Sequence, residues 1–201
     1  MDLCTYHSHC NFCDGKAPAE DFVRAAIEAG FHSYGISSHS PLPFETRWSL
    51  SKGNVEAYLM EIKCLQEKYA GQIELYVGME IDYLNDDWGP AVEYFQRMPL
   101  DYRIGSVHLV TEEQTGEIMD MDGKFEDFRE NLRMVFRDDL KYLVEAYFKA
   151  SSRMVELGGF DFVAHLDKIS MNGSLMDSTL TKQEWYNRLL WDYMSLIAER
   201  G

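Results

Sequence analysis

The sequence encodes an alternating α/β protein organised around a parallel sheet or barrel. Short apolar runs of β character alternate with amphipathic segments. One of these runs, IELYVGMEIDY at 73–83, is almost unbroken in apolar residues, and metal-capable side chains recur at the same end of successive runs. Parallel strands need crossover connections, which helices supply. A strand covered on both faces loses the polar alternation of a half-exposed one. In parallel barrels the chemistry gathers at the carboxyl ends of the strands.

DLCTYH is the first β-leaning run and ends at His7. AEDFVRAAIEAG follows with Phe22, Val23, Ala26 and Ile27 at helical spacing, Pro18 near its start and Gly30 as the stop. FHSYGIS is the second strand and runs into His39. GNVEAYLMEIKCLQEKY carries an apolar stripe of Val55, Leu59, Ile62, Leu65 and Tyr69. The strand at 73–83 comes next, then a short helix at PAVEYFQRM and a strand at YRIGSVHLV. Thr111 to Lys124 is polar and reads as a loop or small hairpin. Phe125 to Leu157 is helical, in one or two pieces, and Gly158 and Gly159 end it. FDFVAH is the fifth strand, and a last helix spans about Lys182 to Glu199.

A chain of 201 residues with 46% hydrophobic content suits one globular domain over 1–201. The net charge of −15 opposes broad nucleic-acid binding but admits a small anionic substrate where cations line the pocket. Apolar runs are short, so no membrane span is expected, and Asp2 and His7 stand where a leader would be basic and then apolar. A cytoplasmic protein is the expectation. The oligomeric state has no signature. Cys4, Cys10, Cys13 and Cys64 are expected as reduced, buried or half-buried thiols, because Cys10-x-x-Cys13 lacks the second half of a zinc site.

His7, His39, His108 and His165 fall at or just past the ends of the first, second, fourth and fifth strands, and Glu80 lies late in the third. One buried histidine is more often a hydrogen-bonded core residue than a ligand. Convergence of five strands outweighs that reading. His9 adds a second imidazole on the face of His7, since residues two apart on a strand share a side. A carboxylate at Glu80 buried among apolar residues needs a cation; a salt bridge is the plain alternative. Asp14, in CDGK, reads equally as a turn residue or a ligand. His32 lies at the opposite strand end and is structural. Nitrogen and oxygen ligands suit zinc, manganese or iron.

HSHCNFCDG, GISSHSPLP, VGMEIDY, IGSVH and FVAHLDK resemble, in order and spacing, the motifs of the PHP (polymerase and histidinol phosphatase) superfamily, and within it the histidinol-phosphate phosphatases of the HisK type. The resemblance runs from residue 2 to about 170. It implies a single PHP domain, a distorted (β/α)7 TIM-like barrel with two or three divalent ions. By matched position His7, His9 and Glu80 hold the first ion. Glu80 bridges to a second held by His108 and His165, and His39 and Asp14 hold the third. The family's late Asp-x-His has no counterpart after His165. The expectation is therefore a barrel incomplete at its C-terminus, with five of its β/α units, as in a truncated version of a longer protein.

The chemistry such ions support is phosphomonoester hydrolysis by a hydroxide held at Glu80, His108 and His165, with no side-chain nucleophile. Neither a Gly-x-Ser-x-Gly elbow nor a P-loop is present in the sequence. Arg47 and Lys168 are candidates for phosphate binding, or plain surface charges. Asp82 is a candidate for the substrate's amino group, or a strand-end cap. The resemblance implies hydrolysis of L-histidinol phosphate in histidine biosynthesis. A PHP phosphoesterase acting on nucleotides or nucleic-acid ends, and a non-catalytic metal-binding module, are the alternatives.

Overall fold

The computed structural model describes residues 2–200, which form two compact units interleaved along the chain. The first comprises residues 2–81, 92–104 and 159–162; the second comprises residues 82–91, 105–158 and 163–200. Among the described residues the elements are, in chain order, β1 (Leu3–Thr5), α1 (Ala19–Glu28), β2 (Phe31–Ile36), α2 (Val55–Lys68), β3 (Glu74–Asp82), α3 (Glu93–Gln96) and β4 (Tyr102–Ser106). Then come β5 (Leu109–Thr111), β6 (Ile118–Asp120), α4 (Phe125–Phe136), α5 (Leu140–Leu157), β7 (Phe162–Val163), α6 (Ser170–Met176) and α7 (Glu184–Arg200).

The first unit carries the bulk of a five-stranded sheet ordered β1-β2-β3-β4-β7. β2 pairs in parallel with β1 and with β3. Helix α1 buries Ala19, Val23 and Ala26, and Gly30 turns the chain into β2 with φ of 79°. Helix α2 buries Ile62 and Leu65 of the expected stripe, leaves Val55, Leu59 and Tyr69 half-buried, and adds Tyr58 to the buried face. Tyr58 is drawn in because its hydroxyl donates to Gly78 O at 2.7 Å and lies 2.9 Å from Ile36 O, so it spans β2 and β3.

Tyr102 does the same from β4. Its ring lies over Gly35 and Gly78, where a Cβ would come within 2.2 Å of its atoms, and its hydroxyl donates to Tyr6 O at 2.5 Å. The two glycines are thus the space in which this ring sits, and the ring fastens the residue that precedes His7.

The second unit is mainly helical, with the β5–β6 hairpin. The long helical segment breaks at Arg137 and Asp138, which take φ of 55° and 63°, and Asp139 caps α5 by accepting from Tyr142 N. Phe128, Leu132 and Phe136 of α4 and Leu143, Tyr147, Phe148 and Met154 of α5 are buried. Phe148 meets Tyr186 and Tyr193 of α7 edge-on, with ring centroids 5.7 and 6.1 Å away.

Several sequence expectations are corrected here. YRIGSVHLV is not one strand: β4 ends at Ser106 and β5 turns into the hairpin. His108 sits at the break because its N–H goes to Asp82 and its carbonyl accepts from Met121. The fifth strand shrinks to Phe162–Val163, and the residues after it form the unexpected helix α6. Cys4 and Cys64 are exposed, not buried, although all four cysteines are free thiols. Among the described residues, no helix is long and apolar enough to cross a membrane.

Candidate metal centre

In the first unit three imidazoles converge on one carboxylate oxygen. His7 and His9 follow β1, and the residue between them is tied to β2. Ser8 N donates to Ser37 Oγ at 3.2 Å, Ser8 O accepts from Ser37 N at 2.8 Å, and Ser8 Oγ donates to Gly35 O at 2.8 Å. Ser8 is anchored in this way, and His7 and His9 on either side of it turn their rings to Glu80. His39 lies beyond β2 and is bridged in parallel to Glu80, with Glu80 N donating to Ser38 O and Ser40 N to Glu80 O. Glu80 itself is 1% exposed.

His7 Nε2, His9 Nε2 and His39 Nδ1 lie 3.0, 3.1 and 3.2 Å from Glu80 Oε2. A carboxylate oxygen presents about two lone-pair directions, so hydrogen bonding cannot use all three rings at once. The same donors around a divalent cation contribute one lone pair each. The set fits a metal of the zinc, manganese or iron class. His7, His9 and Glu80 form one group whose ligand atoms all lie within 4.8 Å of one another, and His9, Asp14 and His39 form another.

Asp14 Oδ1 stands 3.0 Å from His9 Nδ1 and 3.9 Å from His39 Nε2, so the aspartate belongs to the cluster and not merely to a turn. Cys13 adjoins the cluster as well, its sulfur 3.7 Å from His9 Nδ1. Burial, the largest influence on His9, disfavours its imidazolium. The hydrogen bonds to Cys13 and Glu80 outweigh burial and push the pKa up to about 11. Burial likewise acts to raise the Cys13 thiol, and contacts to His9 and Ser38 bring it below its usual value. His32 pairs with Glu74 at 3.8 Å, away from the cluster, in keeping with a structural role.

The second unit holds a different arrangement. Asp82, the last residue of β3, is 0% exposed. Its Oδ1 accepts from His108 N at 2.9 Å and from His108 Nδ1 at 2.8 Å. His108 Nε2 then faces His165 Nε2 at 3.1 Å. Two imidazole nitrogens about 2.0–2.1 Å from one tetrahedral metal would stand about 3.3 Å apart, so this pair also fits a cation. Of Asp82, expected as a partner for a substrate amino group or as a strand-end cap, the structure shows Oδ1 at the end of β3 holding His108.

Lys168 is 18% exposed and pairs with Asp122 at 2.9 Å. Burial acts to raise the Asp122 carboxyl, and the Lys168 hydrogen bond and charge carry it below the usual range. No sequence signal singled out Asp122. Arg47 is exposed, in the loop that follows His39.

The PHP domain family matches residues 5–201. A Deinococcus radiodurans protein named "Probable histidinol-phosphatase" is 26% identical over 174 residues, covering 82% of this chain and 60% of its own length. The Bacillus subtilis "Histidinol-phosphatase" is 26% identical over 135 residues, covering 58% of this chain and 47% of its own. The chain thus spans about half to three-fifths of these curated relatives. A crystal structure assigned to the histidinol phosphatase hisK of Listeria monocytogenes superposes with a TM-score of 0.80 at 23% identity, covering 98% of this chain and 79% of that one. At that identity the likeness speaks for the fold. With five ordered motifs, a parallel sheet and histidines gathered at its strand ends, the chain belongs to the PHP domain family.

Proposed function

We propose that this chain is a metal-dependent phosphomonoesterase that hydrolyses L-histidinol phosphate to L-histidinol and phosphate. The observation that carries the reading is the convergence of His7, His9 and His39 on the buried Glu80. The substrate comes from the names of the relatives in D. radiodurans and B. subtilis. The fold reading that goes with it is a distorted (β/α)7 barrel whose first strands are the parallel set β1-β2-β3-β4-β7.

His7, His9 and Glu80 would hold one divalent ion, His39 and Asp14 would take part in a neighbouring one, and His108 and His165 would hold another. Zinc, manganese and iron all suit the donors. Bound ions supply Lewis acidity toward phosphoryl oxygens and lower the pKa of water enough for attack near neutral pH. The chain's own part is to fix these ligands before substrate arrives: Ser8 aims His7 and His9, the β2–β3 ladder aims His39 and Glu80, and Asp82 aims His108. Lys168, oriented by Asp122, and Arg47 are the cations for the phosphate, with Arg the better fork.

The test is phosphate release from histidinol phosphate by the chain reconstituted with manganese or zinc, run beside an EDTA control and a panel of nucleotides and oligonucleotides. Chelator-sensitive turnover of histidinol phosphate above the panel supports the reading. Bound metal without turnover restricts the chain to metal binding.

A further inference from the structure

We propose that Asp82 is the positioning residue for His108, holding the imidazole with its proton on Nδ1 so that Nε2 is presented as a metal ligand beside His165. This rests on the metal reading above.

The geometry is specific. Asp82 Oδ1 takes two hydrogen bonds from one residue, the backbone N–H of His108 at 2.9 Å and the ring Nδ1 at 2.8 Å. The first fixes where the chain leaves β4 and the second fixes the ring's rotation. A carboxylate can only accept, so Nδ1 must carry the proton, and a neutral ring then has its lone pair on Nε2. That nitrogen points at His165 Nε2, 3.1 Å away. A carboxylate placed behind the ring is also the arrangement in which outer partners orient metal-bound histidines. Asp82 is 0% exposed and His108 is buried, so water does not compete for either hydrogen bond. An ordinary buried ion pair would need only one contact and no particular ring orientation. The double grip on one oxygen and the Nε2–Nε2 approach are what distinguish a positioning role.

The experiment uses the whole chain labelled with 15N in its histidines. Long-range 1H–15N spectra read the tautomer of each ring, without metal at alkaline pH and then through a zinc titration. In the wild type His108 is expected as the Nδ1–H form both before and after zinc, with the ion on Nε2. In Asp82→Asn the amide can turn its NH2 toward Nδ1 and move the proton to Nε2. Zinc affinity read at His108 and His165 should then fall about 10–100-fold, while His7 and His9 titrate as before. A wild-type His108 carrying its proton on Nε2 overturns the proposal, and this holds even if the variant fails to fold. So does an Asp82→Asn protein that keeps both the tautomer and the affinity. A wild type that binds zinc at no histidine overturns the metal reading itself, an outcome distinct from bound zinc with the wrong tautomer.

Discussion

Replacing Gly78 with alanine should cripple the sheet beneath the first histidine cluster, and the size of the effect can be worked from the coordinates. A Cβ at Gly78 would lie 2.2 Å from Tyr102 Cζ and 2.4 and 2.6 Å from its Cε atoms, where ordinary contact begins at 3.4 Å. The ring must therefore retreat by about 1.2 Å, the difference between 3.4 and 2.2. It has little room, being 7% exposed and lodged against Tyr6 and Phe162, each 5.8 Å away by centroid. Overpacking of this kind costs about 1–3 kcal/mol. The retreat also breaks the Tyr102 hydrogen bond to Tyr6 O, adding about 1 kcal/mol. A total near 3 kcal/mol corresponds to a loss of about 6–12 °C in Tm for a chain of this size. Thermal melts followed by circular dichroism read it directly. The decisive control is Tyr102→Ala, which removes the obstructing ring: in that background Gly78→Ala should cost less than about 1 kcal/mol. Equal losses in both backgrounds, or a melt of Gly78→Ala within about 1 °C of wild type, would refute the steric argument.

Glu80→Gln removes the charge on which three imidazoles converge, so metal retained by His7 and His9 should drop by more than about 100-fold, beyond the loss typical of an outer partner, as read by metal analysis after dialysis. Lys168→Ala should raise KM for a phosphomonoester about tenfold with little change in kcat, the loss of one charge-assisted hydrogen bond; an unchanged KM would return Lys168 to structure alone. Glu112 accepts from Thr115 N and from the Tyr142 hydroxyl, which together hold its carboxyl at about 2 against an ordinary 4.5. A depressed carboxyl contributes stability that is complete above about pH 4.5 and disappears as pH falls toward 2, so urea melts of wild type and Glu112→Gln should converge across that window.

The strand–helix rhythm and the clustering of histidines were legible because both depend on periodicity along the chain. His7 and His9 share a face as their spacing requires, and Glu80 is buried as its apolar neighbours imply. What could not be read depends on partners distant in sequence. The sequence leaves Asp82 as either a substrate partner or a strand-end cap, because nothing near it in the chain announces His108, 26 residues later. Tyr58 was left out of the α2 stripe because its burial is stabilised by two carbonyls in other strands. The break of YRIGSVHLV at His108 has the same origin: local β propensity is overridden by hydrogen bonds that the turn makes elsewhere.

The ladder between β2 and β3 runs past the formal ends of β2, through Ser38, His39 and Ser40 to Glu80. Two of the candidate ligands are therefore rungs of the sheet, with no hinge of their own. The amides of Glu80 and Ser40, which make this part of the ladder, share the protection of the central strands against solvent exchange, and the ligand cage opens only when the sheet itself unzips. Ordering these two ligands is completed by folding, so an arriving cation meets a cage whose entropic cost has already been met.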